Sequence, residues 1–314
     1  MYFRRLTNPD GPWTDDPVLA TYRFTNAYRA SDRVSQYLIR EVQYHPDRPS
    51  APAEVFFRTM LFKIFNRIDT WETLERKVGQ IVGTTADINS INAVLNEMFD
   101  QHERLYSAAY IMPSPAFGHV RKHTNHLALL ARMMEDKLPV ELQRAGSLRE
   151  VYDLLVRYPG IGPFLAFQYA IDLNYSTLID HSEADFVVAG PGALDGISKC
   201  FTSIGSRTPE QIIHQVCEMQ EKAFAKAGLK FQPLYGRRLQ PIDCQNLFCE
   251  ISKYARVVHP NVSGLSGRTR IKQTYRFNST PLPTPMYPPK WNLNTSAGGV
   301  TPKRTVRHKR DLMT

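Results

Sequence analysis

The sequence predicts an all-α fold followed by an irregular, basic C-terminal tail. Apolar residues recur at helical spacing in several windows, and three later helices have readable starts. A strand is hard to find: DFVVA at 185–189 is the only tempting segment, and it is short. The chain has 314 residues, 42% hydrophobic and 22% charged, enough for one large or two small domains with a sizeable core. It contains no apolar run of about 18 residues, so no membrane span is expected. Met1-Tyr2-Phe3-Arg4-Arg5 lacks the apolar stretch of a secretory signal, which makes the cytoplasm the expected location.

Taken in order, residues 26–42 place Val34, Leu38 and Val42 at steps of four and predict a first helix. The segment PDRPSAP (46–52) breaks the pattern. Residues 53–68 then put Phe57, Leu61, Ile64 and Ile68 on one face, and Asp69 to Glu72 opens a further short helix. Met112-Pro113-Ser114-Pro115 reads as a loop and residues 118–134 as a helix. Ser147 to Glu150 and Thr208 to Gln211 both fit a capping box, Pro209 standing at the first helical position. Pro241 opens a helix carrying Leu247, Phe248, Ile251 and Tyr254, on which Asp243, Asn246, Glu250 and Lys253 share a face that reads as solvated. Five prolines between 281 and 289 predict an extended, non-helical run.

Charge divides the chain at residue 264. Residues 264–314 hold ten Lys/Arg against one acid, Asp311, whereas residues 1–263 are balanced at 29 of each sign. The reading is a helical domain, 1–263, and a basic, Pro-rich segment, 264–314. Its Arg268, Arg270 and Lys272 are candidate phosphate contacts, a solubilising tail being the alternative. Cys200, Cys217, Cys244 and Cys249 form no CxxC pair and read as buried free thiols, and the nine histidines form no ligand pattern. No metal and no cofactor are expected.

The most specific signal lies at 147–175. Leu148, Val151, Tyr152 and Leu155 make an apolar stripe on a helix ending near Tyr158; Pro159-Gly160-Ile161-Gly162 follows, then Pro163 and an almost wholly apolar helix over 164–173. Gly160 and Gly162 permit positive φ and close approach, so amides near a helix N-terminus can meet a phosphate while Ile161 anchors the turn. The stretch resembles the helix-hairpin-helix motif, which clamps a DNA backbone. In DNA glycosylases built on that motif a catalytic aspartate follows the second helix, and here Asp180 and Asp185 compete for the role. An ionised Asp beneath the sugar would stabilise the cation that develops as the base leaves; capping a following helix is the structural alternative for Asp180. Phe164 and Leu165 occupy the positions where strand-cutting members carry a Schiff-base lysine, so a monofunctional enzyme is expected.

Five segments carry a narrower resemblance: FTNAYRASDRV (24–34), FRTMLFKIFN (57–66), PGIGPFLAFQYAID (159–172), DFVVAGPG (185–192) and RTRIKQ (268–273). They resemble the glycosylase-related α-glutamyl/putrescinyl-thymine pyrophosphorylases, also described as the helical domain of 5-hydroxymethyluracil DNA kinase. The likeness extends over roughly residues 22–291. It implies phage DNA with hypermodified bases as the partner, with neither membrane nor protein partner expected. The function expected first is excision of a bulky modified pyrimidine, such as α-glucosylated 5-hydroxymethylcytosine, in anti-phage defence. Modification of 5-hydroxymethyluracil derivatives is the alternative, and a non-catalytic DNA-binding adaptor the third reading. No GxxxxGK[ST] loop occurs, which argues against a P-loop kinase. Asn26, Tyr28, Arg29, Asp32, Asn66 and Trp71 are candidates to line the base pocket by stacking and edge recognition. For Trp71 a place in the core, and for Arg29 and Asp32 a local ion pair, are the structural alternatives.

Overall fold

The computed structural model describes residues 1–83 and 85–293, apart from the side chains of 85–87. The part of the basic segment beyond residue 293 lies outside the described residues. The described fold is all-α: among these residues no sheet forms, and only two isolated bridges occur, Tyr22 with Thr274 and Leu234 with Arg237. No described helix is long and apolar enough to cross a membrane.

Two short helices, α1 (Tyr2–Thr7) and α2 (Pro17–Thr21), precede the body. The helix expected over 26–42 is instead broken. A 3-10 turn (Arg29–Ser31) leads to Asp32, whose extended backbone and side chain cap α3 (Arg33–Tyr37), and a π-helical segment (Leu38–Gln43) completes the stretch. Asp32 accepts from the Val34 N–H, so it begins a helix rather than continuing one.

At the centre of the molecule lies α4 (Pro52–Phe65), buried without interruption from Val55 to Phe65. Against it pack α5 (Ile68–Val78), α7 (Lys122–Glu135) and α8 (Leu138–Arg144), while α6 (Thr85–Asp100) lies on α5 and α7. Helix α7 starts four residues later than the expected 118, because the Asn125 side chain accepts from the Phe117 and His119 amides and holds that stretch as a loop.

The hairpin joins α9 (Leu148–Leu155) to α10 (Pro163–Tyr175), and α10 is buried from Leu165 to Tyr175, as its apolar composition predicts. The first helix stops at Leu155, short of Tyr158. Ser147 accepts from the Glu150 N–H at 3.2 Å, but the Glu150 carboxylate accepts from Gly146 rather than closing the box on Ser147.

The last layer is α11 (Pro191–Cys200), α12 (Pro209–Lys226) and α13 (Pro241–Val258). The Thr208–Gln211 box forms in both directions and starts α12 where expected. The 185–189 segment is irregular. Cys217 and Cys244 are buried and Cys249 half-buried, but Cys200 is exposed at the end of α11, against the reading of four buried thiols.

Residues 264–293 are irregular apart from a 3-10 turn (Pro289–Trp291), yet they lie against the helices. Tyr287 is buried; Gln36 pairs with the Met286 backbone in both directions; Lys290 donates to the Ser176 and Ile179 carbonyls.

Candidate functional site

The interior between the Arg29 turn, α4 and α10 holds charges that an apolar core would not tolerate singly. Arg29 and Lys63 are each 3% exposed and Asp172 not at all. Arg29 Nη1 donates to Asp172 Oδ1 at 2.7 Å, and Lys63 Nζ approaches Asp172 Oδ2 at 3.2 Å. Lys63 also donates to Asn66 Oδ1 at 2.7 Å, and Arg29 Nε to Gln168 Oε1 at 3.0 Å. Gln168 and Asp172 lie four residues apart on α10, which puts both on one helix face. Asn66 sits in the left-handed region (φ 49°) as the C-cap of α4, a conformation Asn tolerates, and this turns its amide back toward Lys63.

Aromatic rings bound the centre. Tyr175 lies under the Arg29 guanidinium at 5.5 Å and Tyr110 under Lys63 Nζ at 5.0 Å, while Tyr110 stacks on Phe164 at 5.9 Å. Tyr110, Phe164 and Asp32 are only half-buried, so they form the rim where the centre comes nearest to solvent. Gly190, at the start of α11, abuts that rim: a Cβ there would fall 2.4 Å from the Phe164 ring.

Burial alone would raise the Asp172 carboxyl, yet the charges of Arg29 and Lys63 hold it below its ordinary value. Burial pulls the Lys63 ammonium down, with Asp172 opposing. Behind Arg29 lies a second acidic pair. Asp243 accepts the Arg29 backbone N–H at 2.8 Å and is pushed up to about 6 by burial; Glu183, 3.3 Å from Arg237, is pushed up to about 7 for the same reason. The face of α13 read as solvated is therefore buried at Asp243.

The hairpin is a tight, anchored turn between two helices. Tyr158, Pro159, Gly160 and Ile161 form a turn closed by the Ile161 N–H to the Tyr158 carbonyl at 3.1 Å, with Gly160 at φ 82°. Ile161 is buried and anchors the turn. Gly162 caps α10 with nothing within 4 Å of a Cβ position, leaving open space before the first amides of a 13-residue helix.

Of the sequence-predicted site residues, the structure brings Arg29, Asp32 and Asn66 to this centre. Arg29 pairs with Asp172 and not with Asp32. Asn26 caps the turn before Arg29 by accepting from Tyr28 N; Tyr28 is buried against Phe231; Trp71 is buried edge-on to Phe62. Asp180 is 76% exposed and 3.6 Å from Lys290. Asp185 is exposed on a separate cleft of about 450 Å³ that it shares with Arg149, Tyr152 and His214. Arg268, Arg270 and Lys272 are exposed. Sequence reasoning missed Lys63, Gln168, Asp172 and Tyr110. For the first three, the available signal was polar residues inside otherwise apolar helices, within two of the five resembling segments.

The family model described as "5-hmdU DNA kinase, helical domain" matches residues 1–264. A curated relative, the 5-hmdU DNA kinase of Bacillus phage SP10, is 25% identical over 274 residues, covering 81% of this chain and 42% of the relative. The chain thus spans less than half the length of that protein. No solved structure matches. The hairpin and the buried centre both fall within the matched region, and the chain belongs to the family of the 5-hmdU DNA kinase helical domain.

Proposed function

We propose that the chain grips DNA through the α9–α10 hairpin and acts on a 5-hydroxymethyluracil derivative as a base-hypermodification enzyme, with Arg29, Lys63, Asn66 and Asp172 meeting the base. The observation that carries this reading is the pair of buried cations, Arg29 and Lys63, held on the Asp172 carboxylate beside the aromatic rim. Excision develops positive charge on the sugar and needs a carboxylate whose field is free. Asp172 is already neutralised by two partners. Two cations beside the base instead favour loss of a phosphorylated oxygen from the 5-methylene carbon: the C–O bond breaks, the phosphate leaves with the electron pair, and an amine nitrogen bonds to the carbon and gives up its proton. Half-buried Tyr110 and Phe164 supply rings against which a pyrimidine stacks, and Asn66 lies behind them as an amide for its edge, whereas Gln168 is taken up by Arg29 and Gln245. The target must leave the helix stack, at a cost of roughly a few kcal/mol.

Family membership supports the same base class. The kinase activity in the relative's name belongs to a protein of which this chain spans 42%, and it is not assigned to this chain. Phage DNA is the natural source of such bases. Excision of glucosylated 5-hydroxymethylcytosine is the second reading, resting on Asp180 and Asp185 after the hairpin.

The test is to incubate the protein with oligonucleotides carrying phosphorylated 5-hydroxymethyluracil, with glutamate or putrescine supplied, and with glucosylated and unmodified DNA in parallel. Digestion to nucleosides and mass analysis should show a new nucleoside from the first set, with no alkali-labile sites. Free base and abasic DNA from the glucosylated substrate would replace this reading with excision.

A further inference from the structure

A cleft of about 530 Å³ lies between α13 and residues 267–273. Five of its ten lining residues are cations, namely Lys253, Arg256, Arg268, Arg270 and Lys272, and none is acidic. Lys253 is engaged with Glu250 and the Arg23 carbonyl, and Arg256 with Ser252. The side chains of Arg268, Arg270 and Lys272 make no hydrogen bond or ion pair among the described residues.

This cationic row is not a loose tail. Before it, the Ser266 N–H donates to Asp195 Oδ1 at 2.6 Å, and Asp195 is 1% exposed and paired with Lys199 at 3.2 Å. After it, Arg23 N–H donates to the Gln273 carbonyl at 3.1 Å and Tyr275 N–H to the Thr21 carbonyl at 2.8 Å. Both ends of 267–273 are therefore fixed to the helical body. Holding three like charges side by side raises the energy of the free protein, and a solubilising tail would not need such anchoring.

One loop connects the cleft, the centre and the hairpin in residue order. Ala108 lines the cleft; Tyr110 covers Lys63 and stacks on Phe164; Met112, Pro113 and Pro115 surround Gly160 of the hairpin, at 3.3 to 3.5 Å from its Cβ position. The seven steps from 108 to 115 reach at most about 25 Å, no more than about seven nucleotides at about 3.4 Å each along a strand.

We infer that the cleft is a second DNA-backbone site, holding the strand on the far side of the target nucleotide from the hairpin, so that the base is presented between two phosphate grips. The inference rests on the DNA-binding reading above and adds to it a partner surface containing Lys253 and Arg256 as well as the exposed row. It predicts that the two grips are separable.

The experiment uses the full chain and a duplex with one central 5-hydroxymethyluracil, read by the salt dependence of binding and by backbone footprinting. The R268Q/R270Q/K272Q variant should lower the salt slope by about 0.9 for each phosphate it no longer neutralises, roughly 2–3 in all. It should also lose protection on one flank only. Gly162→Val, which fills the space before α10, should lose the other flank. An unchanged slope with both flanks protected in the triple variant would overturn the inference while leaving the hairpin reading intact. Wild-type protein that protects neither flank would overturn both. Loss of binding to poly-glutamate with DNA binding untouched would assign the cleft to an acidic protein and overturn the inference as well.

Discussion

Asp172 and Asp180 stand eight residues apart in sequence, the first inside α10 and the second beyond its end. Asp172 is fully buried and shared between Arg29 and Lys63; Asp180 is 76% exposed, with Lys290 at 3.6 Å. The contrast shows how little a carboxylate's place after a motif says about its chemistry. Outside, water supplies the solvation and Lys290 adds little. Inside, the charge must find protein partners, and these come from a turn and a helix more than a hundred residues upstream. The charge that is costly to bury is the one held in a fixed geometry, and it is the one proposed to stand at the base.

The largest expected effect breaks that contrast directly. Asp172→Asn leaves two buried cations without a counter-charge and should cost on the order of 3–5 kcal/mol, read by urea or thermal denaturation. Asp180→Asn should leave the midpoint where it is. Equal effects would mean that the two environments do not differ in solution as they do in the structure.

A smaller effect sharpens the comparison with a third carboxylate. Glu183 is buried like Asp172, but burial outweighs its one close cation and pushes it up to about 7. The folded state then holds a proton that the unfolded chain releases near its ordinary value of 4.5. Between these values the native state binds more protons, so this group's contribution to stability is lost as pH rises through about 7. Glu183→Gln should remove that slope and gain stability relative to wild type at pH 8, by at most on the order of 3 kcal/mol. Denaturation series from about pH 4 to 8 check it; parallel curves for the two proteins would contradict the burial argument.

The smallest stability effect separates the two hairpin glycines. Gly160→Ala forces a side chain to φ 82° against Pro113 and Met112 and should cost about 1–2 kcal/mol. Gly162→Ala meets nothing in the fold and should leave stability unchanged while weakening DNA binding several-fold, as measured by anisotropy. If DNA affinity survives Gly162→Ala and Gly162→Val alike, the hairpin is a structural turn.

Much of the architecture was legible because helix starts are local chemistry. The Thr208 box, Pro209, Pro241 and the Pro-Gly-Ile-Gly turn all act within a few residues. The centre was legible only in part. Arg29, Asp32 and Asn66 stood out as polar groups near helix ends, but Lys63 and Asp172 sit inside apolar runs, where their neighbours' hydrophobicity masks them. Their pairing joins positions more than a hundred residues apart, and no local rule reaches that far. Asp243 was misplaced for a related reason: its helix face looks polar in sequence, yet the backbone amide of Arg29 covers it.

Base reading is proposed to lie in the buried centre rather than at the pair of exposed carboxylates. The most direct measurement is the ratio of affinities for two oligonucleotides, one with 5-hydroxymethyluracil and one with thymine at the same position. It is to be taken for wild type, Lys63→Met and the Asp180→Asn/Asp185→Asn double variant. Lys63→Met leaves Arg29 to balance Asp172, so the fold should persist; losing a charged hydrogen-bond donor should cut discrimination about tenfold or more while affinity for the thymine duplex holds. The double variant should discriminate like wild type. Discrimination that survives Lys63→Met and disappears in the double variant would contradict the account.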